Sequence, residues 1–136
     1  MIDLHVHSTF SDGSLTPSHL VQTARKIGLS GLALTDHDTV AGVDPFMTAC
    51  GAGDSSTAIK GVTGVEISAD IQRGALHLLG YYIDPDNLEL AGVLERIRNG
   101  RNQRNQEMVG KLQQLGLSLT IQEVESFAGE DVVGRP

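Results

Sequence analysis

Polar and apolar positions alternate from the start of the chain. Asp3, His5 and His7 fall on one side of an extended segment and Leu4 and Val6 on the other, which predicts a strand over 2–7. Ser-Asp-Gly at 11–13 is turn chemistry. Thr16 followed by Pro17 reads as an N-cap and first helical residue, opening a helix that Gly28 closes. A second strand is expected over 31–35, then a helix from near Asp38 or Thr39, in which Pro45 marks an irregularity or a fresh first turn. Residues 50–56 read as a loop. A third strand over 59–68 and a fourth over 75–83 are joined by a turn near Arg73 and Gly74. Strands alternating with helices of this length indicate parallel strands joined by right-handed crossovers. From Asn87 the pattern changes. Leu90, Val93, Leu94 and Ile97, then Met108, Leu112 and Leu115, repeat at helical spacing up to Gly116. The middle of that stretch is almost wholly polar, so two packed ends flank a solvated or functional centre. A short helix is expected from Thr120.

At 136 residues the chain can bury a core but is short for a complete α/β barrel. It has no apolar run near the roughly 20 residues of a membrane span and no basic-then-apolar leader, and its single cysteine, Cys50, has no internal disulfide partner. These features set a cytoplasmic protein as the expectation. A net charge of −7 argues against coating duplex nucleic acid, which calls for a basic surface. The basic residues are unevenly spread, however: Arg96, Arg98, Arg101 and Arg104 crowd into one stretch, interleaved with Asn99, Asn102 and Asn105. A charge run on a helix is usually a solvated face. The Arg and Asn mixture, with few acids opposite, tilts Arg101 and Arg104 slightly toward anion contact.

The strongest local signal is His5-Val6-His7. A lone strand histidine is more often a satisfied core residue than a ligand. Two imidazoles leaving one face beside Asp3 are costly to bury without a shared partner, and both can reach one cation. Other polar candidates recur at strand ends: Asp12 beyond the first strand, Thr35-Asp36-His37-Asp38 after the second, and Glu66 at the end of the third. Side chains that build active sites in parallel α/β barrels gather at those ends. His, Asp and Glu from three strand ends form the mixed nitrogen and oxygen set that zinc, manganese or iron accepts. Asp3 is expected to stand behind an imidazole and orient it, Asp36 to do the same or to cap a helix, and Asp38 to cap. Strand parity permits an inward His77 without requiring it. His19, on a polar helical stretch, reads as a solvated residue.

The motifs Asp-Leu-His-Val-His-Ser-Thr-Phe-Ser-Asp-Gly (3–13), Leu-Thr-Asp-His-Asp-Thr-Val-Ala-Gly (34–42), Gly-Val-Glu-Ile-Ser (64–68) and His-Leu-Leu-Gly-Tyr (77–81) resemble, in order and spacing, those of the PHP (polymerase and histidinol phosphatase) domain family. The Arg-Asn-x-Arg-Asn pattern within 97–112 and the Val-Gly-Arg-Pro ending at 133–136 are similar to its branch of nucleoside 3′,5′-bisphosphate phosphatases, members of which also trim 5′ nucleotides from short RNAs. The resemblance implies an α/β fold: residues 1–86 as the N-terminal part of a distorted (β/α)7 TIM-like barrel, and 87–136 as the start of a helical insertion. It implies His5, His7, Asp12, His37, Glu66 and His77 as ligands of two or three divalent metals (Mn, Zn or Fe), with Glu66 bridging. A metal-activated water, rather than a side chain, is the implied nucleophile, and Arg135 matches an arginine that holds the substrate phosphate.

The substrate implied is a small phosphorylated nucleotide or short oligonucleotide, with neither membrane nor large duplex as partner. Members of the family carry further histidine and Asp-x-His ligands beyond the Gly-Arg-Pro motif. The expectation is therefore that residues 1–136 offer part of the metal set, completed by a C-terminal remainder or a second chain, and do not catalyse alone. Histidinol-phosphate hydrolysis is an alternative, against which the Arg/Asn-rich helix and the Gly-Arg-Pro ending count. A non-catalytic PHP module is another, but its expected mark is eroded ligands, and the six positions above are intact.

Overall fold

The computed structural model describes residues 1–52, 58–70 and 74–128. Part of the expected 50–56 loop, the Arg73 turn position and Arg135 with its Gly-Arg-Pro motif lie outside the described residues. The element order is β1 (Ile2–Val6), α1 (Pro17–Lys26), β2 (Gly31–Leu34), α2 (Val43–Gly51), β3 (Lys60–Asp70), β4 (Ala75–Tyr81), α3 (Leu88–Gln114) and α4 (Ile121–Ala128).

Local sequence accounts for most boundaries. Thr16 accepts a hydrogen bond from the His19 backbone N–H, Pro17 occupies the first turn of α1, and Gly28 takes φ 76° just beyond its end. Thr120 and Glu123 form a reciprocal box at α4: Thr120 N–H donates to Glu123 Oε2 at 2.8 Å, and Glu123 N–H to Thr120 Oγ1 at 3.2 Å. The helix expected from Asp38 or Thr39 starts only at Val43, with Gly42 as its N-cap and no side-chain cap. Asp38 is therefore not a cap. Its backbone sits in the left-handed region at φ 54°, which breaks any helix before it begins.

The sheet order is β1-β2-β3-β4. β1, β2 and β3 pair in parallel, as expected for strands linked through α1 and α2. β4 has no helix between it and β3 and runs antiparallel to it, because residues 71–74 are too few for a crossover. A flat sheet would hold β1 and β4 about 14 Å apart, three strand spacings. Yet Tyr81 Oη on β4 donates to the Leu4 carbonyl on β1 at 2.9 Å, so the sheet curls like a partial barrel. α1 and α2 cover its outer side, where Val21, Ala24, Leu32, Leu34, Phe46, Cys50 and Ile59 form the core. Arg25 ties the two helices by donating to the Ala49 and Cys50 carbonyls at the end of α2. No helix of the described residues is long and apolar enough to cross a membrane.

The inner side carries the buried Ala33 and Val62 and, further along β3, the carboxylate of Glu66. α3 is one continuous helix in which Leu94, Arg98, Arg101, Asn105, Val109 and Leu112, all buried or half-buried, recur every three or four residues. The stripe is apolar at its two ends and cationic in the middle, where it meets the end of β2.

Candidate metal centre

Glu66 is the hub. It lies on β3 and is 3% exposed, held in place on both sides: its N–H donates to the Asp36 carbonyl, and its carbonyl accepts from Asp38 N–H. Its Oε2 stands 2.8 Å from His5 Nε2, 2.7 Å from His7 Nε2 and 3.7 Å from His37 Nε2. Its Oε1 stands 2.7 Å from His77 Nδ1. Asp12 forms a second acidic pole, with Oδ1 2.6 Å from His7 Nδ1 and Oδ2 3.7 Å from His37 Nε2. The four rings run in series, with centroids 5.0 Å apart for His5 and His7, 4.6 Å for His7 and His37, and 4.9 Å for His37 and His77. The structure thus brings all six expected ligands together, from β1 and the loop beyond it, from just past β2, from the antiparallel β4, and from within β3, where Glu66 lies inside the strand rather than at its expected end.

Each is delivered by a local device. β1 carries a register irregularity between Asp3 and Val6, where it advances three residues against two on β2. A bulge there re-aims side chains, so strict alternation does not run through 2–7. Asp3 Oδ1 accepts from the His5 backbone N–H at 3.2 Å rather than from a ring nitrogen. Asp36, 1% exposed, accepts from Ser8 N–H at 2.6 Å, Ser8 Oγ at 2.7 Å and Ser11 Oγ at 2.6 Å. It thereby folds the loop that presents Asp12 rather than capping a helix. His19 is exposed, with Thr16 as its ring's neighbour.

The donor set suits a cation. His7 Nε2 and His37 Nδ1 are buried without a hydrogen-bond partner, the former despite its short approach to Glu66. Among the described residues, His5, His7 and Glu66, then His7, Asp12 and His37, then His37, Glu66 and His77, each place three ligand atoms within 4.8 Å of one another. Imidazole nitrogens around two carboxylates are the mixed nitrogen and oxygen donors that divalent ions accept. Glu66 belongs to two of the sets and points its two oxygens at different imidazoles, as a carboxylate shared by two ions would.

The electrostatics give a pH dependence. Burial works to raise the Glu66 and Asp12 carboxyls, but the His5 and His7 hydrogen bonds and the surrounding imidazole charges outweigh it and hold both below the ordinary range. Burial depresses His37, against the pull of Glu66 and Asp12. All three therefore bind fewer protons folded than unfolded. The stability they contribute is fully present above pH 6.5, the ordinary value for His37, and is lost as pH falls through the folded values. The thermal midpoint of the metal-free protein is expected to fall on acidification below that point, first with His37 and then with the carboxyls. Calorimetry between pH 8 and pH 3 measures this, and a midpoint rising from neutrality toward pH 5 would contradict it.

The cluster that sequence reasoning missed lies beside the site. Asp38, fully buried, accepts from Arg101 Nη2 at 2.6 Å and from Ser68 N–H at 2.7 Å, and its carbonyl accepts from Arg98 Nη1 at 2.7 Å. Arg104 is exposed. The available signal was Arg98 and Arg101 falling on the same stripe as Leu94 and Val109, since an arginine on a buried stripe needs an acid.

The chain is a curled α/β sheet of barrel type that gathers four imidazoles and two carboxylates into one candidate metal centre. Residues 3–121 match the PHP domain, and the chain belongs to that family. It is 38% identical over 117 residues to a 3′,5′-nucleoside bisphosphate phosphatase of Chromobacterium violaceum, covering 86% of this chain and 40% of that one. It is 35% identical over 130 residues to a 5′-3′ exoribonuclease of Haemophilus influenzae, covering 96% and 46%. A solved structure described as a metal-dependent phosphoesterase, from Bifidobacterium adolescentis, superposes with a TM-score of 0.80 at 35% identity, over 95% of this chain and 43% of that one. The chain thus spans less than half the length of these relatives.

Proposed function

We propose that these residues form the N-terminal part of a metal-dependent phosphoesterase. It removes a phosphate from nucleoside 3′,5′-bisphosphates, or 5′ nucleotides from short RNAs, with the C-terminal remainder completing the site. The observation that carries this reading is Glu66, buried and facing four imidazoles through its two oxygens. His5, His7, Asp12, His37, Glu66 and His77 would hold two or three divalent ions, with manganese, zinc and iron all suited to the donors. When bound, such ions lower the pKa of water toward about 7 and polarise phosphoryl oxygens. The chain's own residues do the rest: Asp36 and the Ser8–Ser11 loop hold Asp12 toward His7 and His37, and Glu66 fixes the spacing of the rings.

Arg104 and Arg135, with the Arg101 donors that Asp38 leaves over, supply the cationic side for the substrate phosphate. The relatives' printed activities on a nucleoside bisphosphate and on RNA support this substrate class, and a cytoplasmic location fits it. Residues 1–86 form the barrel part and 87–136 begin the insertion.

The test is metal content together with phosphate release from adenosine 3′,5′-bisphosphate, with added manganese, on residues 1–136 and on the chain extended past Pro136. Metal in both, with turnover in the extended form and none from histidinol phosphate, is the expected result. An extended form with neither metal nor turnover would leave a structural PHP module as the better account.

A further inference from the structure

Asp38 belongs to none of the ligand sets, yet it is 0% exposed and holds a left-handed backbone conformation at φ 54°. A non-glycine residue keeps that conformation where its surroundings over-determine it, and a buried carboxylate requires charge and hydrogen-bond partners. Asp38 has a partner at each polar atom. On the sheet side, its N–H donates to the Glu66 carbonyl at 2.9 Å and its Oδ1 accepts from Ser68 N–H at 2.7 Å. On the α3 side, its Oδ2 accepts from Arg101 Nη2 at 2.6 Å and its carbonyl from Arg98 Nη1 at 2.7 Å. Arg101 Nη2 also reaches Ser68 Oγ, closing the cluster. The residue next to Asp38 is His37, and Ser68 lies two positions after Glu66 on β3.

We propose that Asp38 is a positioning residue of the metal centre: it locks His37 to Glu66 across β2 and β3, and Arg98 and Arg101 of α3 hold it there. The two strand ends have no other side-chain tie of this kind among the described residues. The parallel bridge between His37 and Glu66 is a single isolated pair beyond the regular ladder. The Asp38 carboxylate extends that bridge by one further hydrogen bond, to Ser68, and this fixes the rotation of the peptide that carries His37. Arg101 supplies the charge that makes a buried carboxylate tolerable there. The position of α3 and the spacing of the ligands are thereby one structural variable. The inference rests on the metal-centre reading but not on the choice of substrate.

The experiment uses the full-length protein and the variants Asp38→Gly, Arg101→Gln, Arg101→Lys, Arg98→Gln and the double variant Asp38→Gly/Arg101→Gln. Glycine is chosen at 38 because it accepts the left-handed backbone, so that only the carboxylate is removed. Manganese affinity is read by chelator competition, alongside the metal-free thermal midpoint, kcat and KM. Asp38→Gly is expected to weaken manganese binding on the order of 10-fold. Its kcat should fall in step while KM stays within about twofold. Arg101→Gln is expected to show the same loss of affinity with a larger drop in thermal midpoint, and Arg101→Lys to recover most of both. The double variant should recover the midpoint lost in Arg101→Gln, since no buried charge is left unpaired, without recovering metal affinity.

Asp38→Gly or the double variant binding manganese as the wild type does, whatever its midpoint, overturns the proposal and leaves the cluster as a staple of the fold. If Arg101→Gln does not fold, the double variant and Arg98→Gln decide, the latter with an expected affinity loss of a few-fold. A wild-type protein that binds manganese but hydrolyses nothing would count against the phosphoesterase reading alone, because the affinity measurements remain decisive for Asp38.

Discussion

Replacing Glu66 with Gln in the full-length protein should remove at least about 100-fold of metal affinity and on the order of 1,000-fold of kcat, while leaving the fold in place. Gln has nearly the shape of Glu, so the core around Val65 has no reason to repack. What changes is charge and polarity. Oε2 accepts the approach of His5, His7 and His37, and Oε1 that of His77. One of those oxygens becomes an NH2 group that can no longer offer a lone pair to a cation. A divalent ion would then meet neutral imidazoles and the single carboxylate of Asp12, and the two ligand sets that share Glu66 would lose their anion together. His77→Gln provides the graded comparison. Its side chain is 43% exposed and approaches only one carboxylate oxygen, so one ligand set is weakened and the other two are left whole. Elemental analysis after exhaustive dialysis measures the metal lost. Full occupancy in Glu66→Gln would sink the bridging role, and a collapsed circular-dichroism spectrum would show that the substitution had disturbed the fold instead.

Much of this centre can be seen in the chain because its chemistry sits at regular positions. His5 and His7 stand two residues apart in a segment legible as a strand, and both reach Glu66, although the bulge between Asp3 and Val6 interrupts strict alternation there. Thr16-Pro17 and the Thr120/Glu123 box mark helix starts with local hydrogen bonds that need no knowledge of the rest of the molecule. What escapes is what depends on distant partners. Asp38 precedes a helix-like stretch, and local statistics make such a residue a cap. Its actual partners, Arg98 and Arg101, lie 60 and 63 residues away. The same holds for the bulge in β1, which is a mismatch with β2 and leaves no mark in the sequence of β1 itself. The arginines on α3 look solvated for a related reason. In the sequence they are a charge run, and only the curl of the sheet brings the end of β2 beneath them. β4 was legible as a strand and as the far side of a turn, but its direction follows from the short connection rather than from the strand's own pattern.

Gly13→Ala should damage the site as severely as many ligand replacements, although glycine carries no chemistry. A Cβ at this position would lie 2.2 Å from the His7 carbonyl oxygen, 2.4 Å from its carbon and 2.8 Å from Ser8 N. These are backbone atoms of the strand end that bears a ligand, so no side chain can swing aside to make room. The loop between them is already closed tightly: Ser11 N–H and Gly13 N–H both donate to the Ser8 carbonyl, at 3.0 and 2.9 Å. Relief requires the loop to open, which moves Asp12 away from His7 Nδ1 and loosens the Asp36 contacts to Ser8 and Ser11. Overpacking of this kind costs about 1–3 kcal/mol, and loss of the Asp36 hydrogen bonds adds to it. The expected result is a lower thermal midpoint together with selective loss of the ion held by His7, Asp12 and His37, while His37, Glu66 and His77 still bind. Gly100→Ala is the matched control. It lies inside α3 with nothing within 4 Å of the added carbon, and the same change there should raise stability by roughly 0.5–1 kcal/mol through helix propensity. Opposite signs at 13 and 100, with metal stoichiometry altered only at 13, would trace the loss to the His7 backbone contact. Equal effects at the two positions would mean that the 8–13 loop is free to adjust and that Asp12 does not depend on it.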